Sequence, residues 1–331
     1  MGLRQTAVNT LSFQLIAFLT LTVVERRQRR LDPREKTAWT LPNNSTKSTT
    51  PLRRESVARL TKKIRWQLRW SIRSRAFLLR TGRDHPAVLR HYLTDNRRYR
   101  LVKLGVLSAA AKHVAEIRAE FEALEARGQF KEKWFDVNIV PWSATFSRIF
   151  DRADPVRILE IGSWEGRSTL FLMTYFRRGH LTAVDTWGGC DEYEYNATSD
   201  VEDLETRFDC NVSSCGSRIT KRKGTSQLVL PQLLDEQKKF DLVYVDGSHH
   251  ADDVLTDAVT AWRLLNTGGV LIFDDFLWNY YPRWRANPAW AINLFMKYCA
   301  GQYRILSTSY QIILQKKVAF TDHAATPPSS S

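Results

Sequence analysis

The chain has 331 residues, a length that allows one large domain with an accessory segment, or two domains. Hydrophobic residues make up 43% of it and eleven residues are tryptophan, a composition that excludes a globally disordered chain. The net charge of +14 is uneven. Residues 53–103 hold sixteen Lys/Arg against three Asp/Glu, and residues 1–52 hold eight against three. Residues 104–331 therefore carry a formal charge of −4, so the basicity belongs to an N-terminal arm.

This arm begins with a hydrophobic and then basic segment, residues 1–40. Residues 6–24 are largely apolar and are followed by ERRQRR. The stretch is marginal for a membrane span, and it fits a targeting signal or a plain hydrophobic helix equally well. If it spans, the positive-inside rule leaves the rest of the chain in the cytosol. A polar stretch with two prolines, residues 40–52, indicates a linker.

A basic helical region follows the linker, and the two together are assigned to residues 41–130. Near residues 53–80, apolar side chains recur at helical spacing and basic side chains fill the other face, which predicts a basic amphipathic helix. The apolar stripe consists of Val57, Leu60, Ile64, Leu68, Ile72 and Leu79. Such a helix lies on an anionic membrane, binds phosphates, or packs its stripe and leaves its charges solvated. A second long helix is predicted over residues 97–126.

From residue 131 the pattern changes to short apolar strands that alternate with helices. Strands are predicted at 156–161, 181–184, 240–245, 270–273, 303–306 and 311–314, and helices at 168–177 and 252–265, the second ended by Gly268-Gly269. This alternation is typical of a parallel sheet covered on both faces. The predicted fold is a Rossmann-like, doubly wound, mostly parallel seven-stranded sheet over residues 131–317, preceded by the basic helical segment. Residues 318–331 are predicted to be a disordered tail.

In such a sheet, ligands bind beyond the carboxyl ends of the strands. The first strand ends in the glycine loop Glu160–Gly166, which has an ExGxxxG spacing. Glycines let the backbone approach a ligand at a helix N-terminus, and the acid favours a cationic cofactor over a dinucleotide phosphate. Asp185 ends the second strand, where a carboxylate can accept hydrogen bonds from ribose hydroxyls. In the third loop, Ser226 and Gln227 are candidates for an adenine edge.

Acidic residues follow the fourth and fifth strands. Asp246 ends one, and Asp274 and Asp275 end the other, so three carboxylates are expected to converge. Their mutual repulsion is relieved by a hard divalent cation such as Mg²⁺; the alternative is that these residues only make turns. His249 is the candidate general base beside this cluster, with His250 as its competitor and a purely structural role as the alternative.

The motifs ILEIGSWEGRSTLF, LTAVDTW, KGTSQLVLPQL, FDLVYVDGSHHADDVLTDAVTAWRLL and GGVLIFDDFLW together resemble class I S-adenosylmethionine-dependent methyltransferases. The branch they resemble includes catechol-type and macrocin-type O-methyltransferases. That resemblance implies metal ligands at Asp246, Asp274 and Asp275, and it places His249 where catechol-type enzymes carry a lysine base. The cofactor-binding residues it implies are Glu160, Gly162, Ser163, Trp164, Gly166, Ser168, Asp185, Thr186, Ser226 and Gln227.

The predicted function is therefore metal-assisted O-methylation of a small-molecule or glycan hydroxyl, with Asp246 and His249 as the catalytic pair. A nucleic-acid methyltransferase that uses the basic arm is an alternative, but the charge of −4 beyond residue 103 argues against it. A non-catalytic, membrane-tethered binding protein and an NAD-dependent oxidoreductase are the others. We predict a cytoplasmic location, with membrane association through residues 6–24 or the basic helix.

Overall fold

The computed structural model describes residues 51–190 and 201–317. The predictions for the hydrophobic segment at residues 6–24, for the linker up to residue 50 and for the tail at 318–331 lie outside the described residues. The domain boundaries drawn from the sequence stay predictions.

Three helices precede the sheet: α1 (Pro51–Asp84), α2 (Pro86–Lys103) and α3 (Ser108–Glu125). The prediction of a single helix over residues 97–126 is wrong, because the chain breaks between α2 and α3. Gly105 adopts a φ of 73° there, a left-handed conformation that ends a helix. Within the described ranges, no helix combines the length and apolarity needed to cross a membrane.

Helix α1 packs in the orientation opposite to the one predicted from its apolar stripe. Leu68, Ile72 and Leu79 are exposed, at 58%, 62% and 52%, whereas Phe77 and Leu78 are buried. The compact unit that begins at Lys62 contains this part of the helix. Of the three alternatives that the sequence left open for this helix, the packed stripe is therefore not observed at these three residues. The earlier stripe residues lie outside the described side chains.

A seven-stranded sheet follows, in the order β3-β2-β1-β4-β5-β7-β6. Strands β1 to β5 are parallel, whereas β7 runs antiparallel to both β5 and β6. The predicted mostly parallel, seven-stranded architecture is confirmed. The strands are β1 (Arg157–Ile161), β2 (His180–Asp185), β3 (Ile219–Lys223), β4 (Phe240–Val245), β5 (Leu265–Phe273), β6 (Tyr303–Thr308) and β7 (Ile312–Lys316).

Helices cover both faces of the sheet, because successive side chains of a strand point to opposite sides. In β4, Val243 packs into one apolar cluster and Leu242 into the other, and both are fully buried. The helices are α4 (Ile139–Phe146), α5 (Arg167–Tyr175), α6 (Leu204–Val212), α7 (Ser226–Asp235), α8 (Ala251–Leu264) and α9 (Pro288–Tyr298). Helix α8 ends at Leu264, one residue before the predicted end at Leu265. Gly268 and Gly269, interpreted as the stop signal, lie inside β5, which pairs with β4 as early as Leu265.

The carboxyl ends of the central strands form one continuous rim. The first residue after β1, β4 and β5 donates its backbone amide to a carbonyl at the end of a neighbouring strand: Gly162 to Val184 (2.9 Å), Asp246 to Ile161 (2.8 Å) and Asp274 to Val245 (3.0 Å). The loops after β1, β4 and β5 therefore leave the sheet side by side. This register brings the predicted site residues of these loops to one edge.

Candidate functional site

The glycine loop after β1 touches the backbone of the loop after β4. Gly162 has a φ of 86°, and a Cβ placed on it would lie 2.0 Å from the carbonyl oxygen of Asp246. Gly166, with a φ of 83°, is the N-cap of α5 and has no room for a side chain between Val212 and Phe208. Both glycines are thus required by conformation and by space.

Glu160, the last but one residue of β1, lies below this loop and is fully buried. The hydroxyls of Ser163 (2.9 Å) and Thr169 donate to its Oε2, whereas Oε1 is buried and accepts no hydrogen bond from the described residues. Burial raises the pKa of Glu160 to about 7, and the neighbouring hydroxyls only partly oppose that rise. The loop therefore covers an incompletely satisfied carboxyl group that attracts a cation.

Replacing Glu160 by glutamine is expected to stabilise the protein above neutral pH. A carboxyl whose pKa is higher in the folded than in the unfolded state loses stability as pH rises from 4.5 to about 7. The shift corresponds to at most about 3 kcal/mol, and Gln keeps an acceptor for the hydroxyls, so we expect a gain of about 1–3 kcal/mol at pH 8. Urea unfolding at pH 5 and pH 8 measures it.

The matched control for this prediction is Glu122→Gln, because Glu122 is 55% exposed on α3. Other buried acids titrate in the same window, so the decisive quantity is the difference between variant and wild type at each pH. A Glu160→Gln protein that is no more stable than wild type at pH 8 would contradict the assigned pKa.

Asp185 organises the loops after β1 and β2. Its Oδ2 accepts the backbone amides of Ser163 (2.7 Å) and Trp164 (2.8 Å), and its Oδ1 accepts that of Trp187 (2.6 Å). The backbone amide of Thr186 bonds the same carboxylate, so four amides hold Asp185 in place. The Thr186 side chain is exposed and accepts the amide of Gly188. The residue predicted to bind ribose therefore holds the glycine loop in shape.

Backbone strain concentrates at this rim. Among the described residues, four that are not glycine have a positive φ, and three of them follow β1, β2 and β5: Trp164 (48°), Trp187 (49°) and Asp275 (53°). Such conformations persist only where the surroundings impose them, and they cluster at functional sites. The strained residues therefore lie at the same edge of the sheet as the sequence motifs.

The other acid and the arginine of the glycine loop face away from the rim. Glu165 is buried and accepts the backbone amides of Lys131 (3.0 Å) and Glu132 (2.8 Å). Arg167 pairs with Glu125 and Asp136 on the outside of α5. The segment before the core is thereby tied to the loop. Ser168, which the resemblance places at the cofactor carboxylate, is buried in the first turn of α5.

The third loop presents Ser226 and Gln227 at the start of α7. The Gln227 amide donates to Asp253 of α8 (2.8 Å), so its side chain is turned toward that helix. Ser226 bonds the buried Asp257, whose pKa rises to about 7 because of its burial. Both predicted adenine ligands therefore also join α7 to α8.

The acids after β4 and β5 converge as predicted, but they do not play equivalent roles. Ligand atoms of Asp246, His249 and Asp275 all lie within 4.8 Å of one another. Asp274 is engaged differently: it accepts hydrogen bonds from the Tyr244 hydroxyl, the Gln311 amide (2.9 Å) and the backbone amide of Asp275 (2.7 Å). The cation-sized group is thus Asp246, His249 and Asp275, with Asp274 beside it.

Mutual repulsion is visible in the pKa values of this cluster. Burial, and then the charges of Asp274 and Asp275, raise the pKa of Asp246 well above its usual range. Burial and Asp275 raise the pKa of Asp274 to about 6. Carboxylates held this close are favoured by a cation, and two carboxylates with one imidazole form a chemically suitable ligand set. The donor set therefore fits a divalent metal ion.

His249 and His250 both lie on the loop after β4, and each contacts the segment after β5. His249 Nε2 is 2.7 Å from Asp275 Oδ2, and its ring stacks on Trp278 at 4.6 Å. The His250 ring stacks on Tyr281 at 4.3 Å. Of the two predicted candidates, His249 is the one that joins the acidic cluster. It is placed to act as a third ligand or as a proton acceptor oriented by Asp275.

S-adenosylmethionine fits the chemistry of the rim. A buried carboxyl with an unused oxygen, Glu160, lies beneath the loop where a cationic group is expected, and the Asp185 carboxylate ends the neighbouring strand. The amides of the first turn of α5 form an anion site for a carboxylate. The backbone contact at Gly162 leaves the loop without a side chain at the point of closest approach. These features support the cofactor that the motifs imply.

Two further side chains were missed by sequence reasoning. The Tyr244 hydroxyl lies between Asp246 (2.7 Å) and Asp274 and has one proton to donate to either of them, and the Gln311 amide, one residue before β7, donates to Asp274. Tyr244 was accessible to prediction, because it stands two residues before Asp246 on the same face of a strand. Gln311 was not, since its position depends on the antiparallel register of β5 and β7.

A doubly wound sheet with a glycine loop and clustered carboxylates at one rim defines a Rossmann-like, class I methyltransferase domain. Residues 159–276 match the family described as a methyltransferase domain. The chain is 30% identical to the O-methyltransferase hkm8 of Aspergillus hancockii over 39% of its own length and 45% of that protein. It is 24% identical to the uncharacterized protein R132 of Acanthamoeba polyphaga mimivirus, over 45% and 64% of the two chains. The chain thus spans less than two thirds of these relatives.

Two solved structures are similar in fold. The MycE methyltransferase from the mycinamycin biosynthetic pathway, in complex with Mg, SAH and mycinamycin VI, shares 18% identity and has a TM-score of 0.42, covering 65% of this chain and 57% of that one. An O-methyltransferase from Bacillus cereus in complex with SAH shares 16% identity at a TM-score of 0.41, covering 62% and 91%. The match over residues 159–276 identifies a methyltransferase domain there, in agreement with the predicted resemblance to class I S-adenosylmethionine-dependent O-methyltransferases.

Proposed function

We propose that this protein transfers a methyl group from S-adenosylmethionine to a hydroxyl of a small-molecule or glycan acceptor, with the help of a divalent cation. The observation that carries the proposal is the convergence of Asp246, His249 and Asp275 on the rim that also holds the glycine loop. A methyl donor held by the loop after β1 lies next to groups that can bind and deprotonate a hydroxyl.

The residues around the acceptor hydroxyl have separate tasks in this reaction. Asp246 and Asp275 would hold a cation, which would supply Lewis-acid activation of the acceptor hydroxyl. His249, held by Asp275 and by the face of Trp278, takes the hydroxyl proton. The acceptor oxygen then forms a bond to the methyl carbon while the carbon–sulfur bond breaks, giving the methyl ether and S-adenosylhomocysteine. Apart from these steps the chain contributes positioning and charge.

The test is calorimetry followed by turnover. The full chain is titrated with S-adenosylmethionine and, in parallel, with NAD; binding of the first alone is expected. Transfer of label from methyl-labelled cofactor is then measured with a panel of catechols, sugars and glycosides, with and without EDTA. Binding of NAD in place of S-adenosylmethionine would overturn the proposal and leave an oxidoreductase. Methylation confined to RNA or DNA would favour the nucleic-acid alternative.

We propose a membrane surface as a further partner, through the exposed side of α1. Leu68, Ile72 and Leu79 are exposed there, and Arg69, Arg80 and Arg83 are exposed on the same helix. An apolar strip bordered by arginines is suited to an anionic lipid surface. This partner agrees with a cytoplasmic protein that binds the inner surface of a membrane.

Vesicle flotation measures this association. Wild-type protein is expected to float with vesicles that contain phosphatidylserine and to stay in solution with pure phosphatidylcholine. The triple variant Leu68→Ser, Ile72→Ser, Leu79→Ser is expected to lose at least about tenfold in binding, since each buried aliphatic side chain contributes about 1.5–3 kcal/mol. The matched control replaces the exposed Leu228 on α7 by Ser. Equal flotation of the triple variant and wild type would rule this surface out.

A further inference from the structure

Helix α1 is bound to the segment that follows β5, residues 277–282, through the backbone of that segment. The Ser74 hydroxyl donates to the carbonyl of Leu277 (2.8 Å), and the Arg73 guanidinium donates to the carbonyls of Tyr281 (2.5 Å) and Pro282 (3.3 Å). The Asn279 amide donates in return to Ser74 (2.7 Å) and to the carbonyl of Trp70 (3.2 Å). Both ends of the segment are thus held by one helix.

The same segment supplies the aromatic rings that lie against the two histidines. Trp278 is buried, with the edge of Trp70 on one side at 6.1 Å and the ring of His249 stacked on it at 4.6 Å. Tyr281 stacks on His250. Stacked rings have a defined mutual orientation, so the plane of the His249 imidazole depends on where Trp278 lies.

The polar side chains of α1 that make these contacts face the domain, whereas three of its apolar side chains face away from it. Leu68, Ile72 and Leu79 are left exposed, while Ser74 and Arg73 point inward to backbone carbonyls. The same side of α1 buries Phe77 and Leu78, so apolar burial and these hydrogen bonds together set its orientation.

We infer that Arg73 and Ser74 of α1 are positioning residues for His249: they fix residues 277–282, and through Trp278 they set the imidazole against Asp275. The inference rests on the proposed function for its catalytic meaning, but its geometric content is independent of turnover. It assigns a role to the basic helical region, whose charge alone suggested lipid or phosphate. A misplacement of about 1 Å can lower a rate by about 100-fold, so indirect contacts of this kind matter to catalysis.

The test compares Ser74→Ala and Arg73→Ala with Arg69→Ala, an exposed arginine on the same helix. The first readout is NMR of the full chain labelled at histidine, with His249 and His250 assigned by His249→Gln and His250→Gln. Because a stacked indole shifts the imidazole signals by its ring current, both test variants are expected to move the His249 signals, and Arg69→Ala is expected to leave them in place. Hydrogen exchange of residues 277–282 is expected to accelerate in the same two variants.

The second readout is methyl transfer at saturating cofactor. Both test variants are expected to lower kcat about tenfold, with the S-adenosylmethionine affinity and the thermal midpoint close to wild type. Ser74→Ala removes only a hydroxyl, so it keeps the test valid if Arg73→Ala fails to fold. Wild-type His249 signals in a folded Ser74→Ala protein would overturn the inference. A wild-type protein that transfers no methyl group would contradict the proposed function alone, since the NMR comparison does not use activity.

Discussion

Replacing Gly162 by alanine is expected to abolish detectable S-adenosylmethionine binding and to destabilise the protein by more than about 4 kcal/mol, the upper range for single substitutions. Two effects add. A φ of 86° costs an L-residue about 1–2 kcal/mol. The new Cβ would also lie 2.0 Å from the carbonyl oxygen and 2.5 Å from the carbonyl carbon of Asp246, and neither is a flexible side chain. The loops after β1 and β4 must move apart, and the contact between donor loop and acidic cluster is lost.

Two glycines of the same chain separate these effects. Gly301 has nearly the same φ, 84°, but nothing lies within 4 Å of its Cβ position, so Gly301→Ala measures the conformational cost alone. Gly188 lies in the loop after β2 with ordinary space around it, and Gly188→Ala is expected to be close to neutral. Chemical unfolding and calorimetry are run on all three variants. If Gly162→Ala resembles Gly301→Ala in both measurements, the close approach of the two loops is wrong.

The rim was predictable from the sequence because parallel strands place their carboxyl ends together. Once Leu242 and its neighbours were recognised as a buried strand, the residues that follow it had to lie beside the glycine loop. The same rule could not predict which of the acids belongs to the cation-sized group and which is held by other side chains. Asp274 and Asp275 are adjacent in sequence. Their different roles follow from the left-handed backbone at Asp275 and from the contact of Asp274 with Gln311, which lies just before β7.

The orientation of α1 shows where periodicity fails. Its apolar stripe predicted a buried face, and the described part of that stripe is exposed. Hydrophobic spacing identifies a helix, but which face is buried depends on its partner. Here the partner is the backbone of residues 277–282, and Ser74 and Arg73 donate to its carbonyl groups. A pattern within α1 carries no information about groups two hundred residues away.

The replacement of Asp246 by asparagine is expected to lower kcat at least about 1,000-fold, since metal assistance contributes several kcal/mol and each 1.36 kcal/mol is tenfold. Asparagine keeps an acceptor for the Tyr244 hydroxyl, so the local structure is retained. It removes a carboxylate whose pKa is raised by burial and by Asp274 and Asp275. Stability lost as pH rises through that pKa is therefore recovered, and the apo variant is expected to unfold at a higher urea concentration than wild type at pH 8.

A lower kcat together with a higher stability of Asp246→Asn distinguishes a metal site from a structural cluster. If the acids only made turns, Asp246→Asn would leave kcat unchanged, and titration with Mn²⁺ would show the same weak binding as wild type. Asp252→Asn, an exposed acid in the first turn of α8, controls for net charge. Asp274→Asn is expected to weaken Mn²⁺ less than Asp246→Asn does, because its carboxylate already accepts from Tyr244 and Gln311. His249→Gln decides the remaining role: a ligand would lose Mn²⁺ affinity, whereas a proton acceptor would keep it and lose kcat.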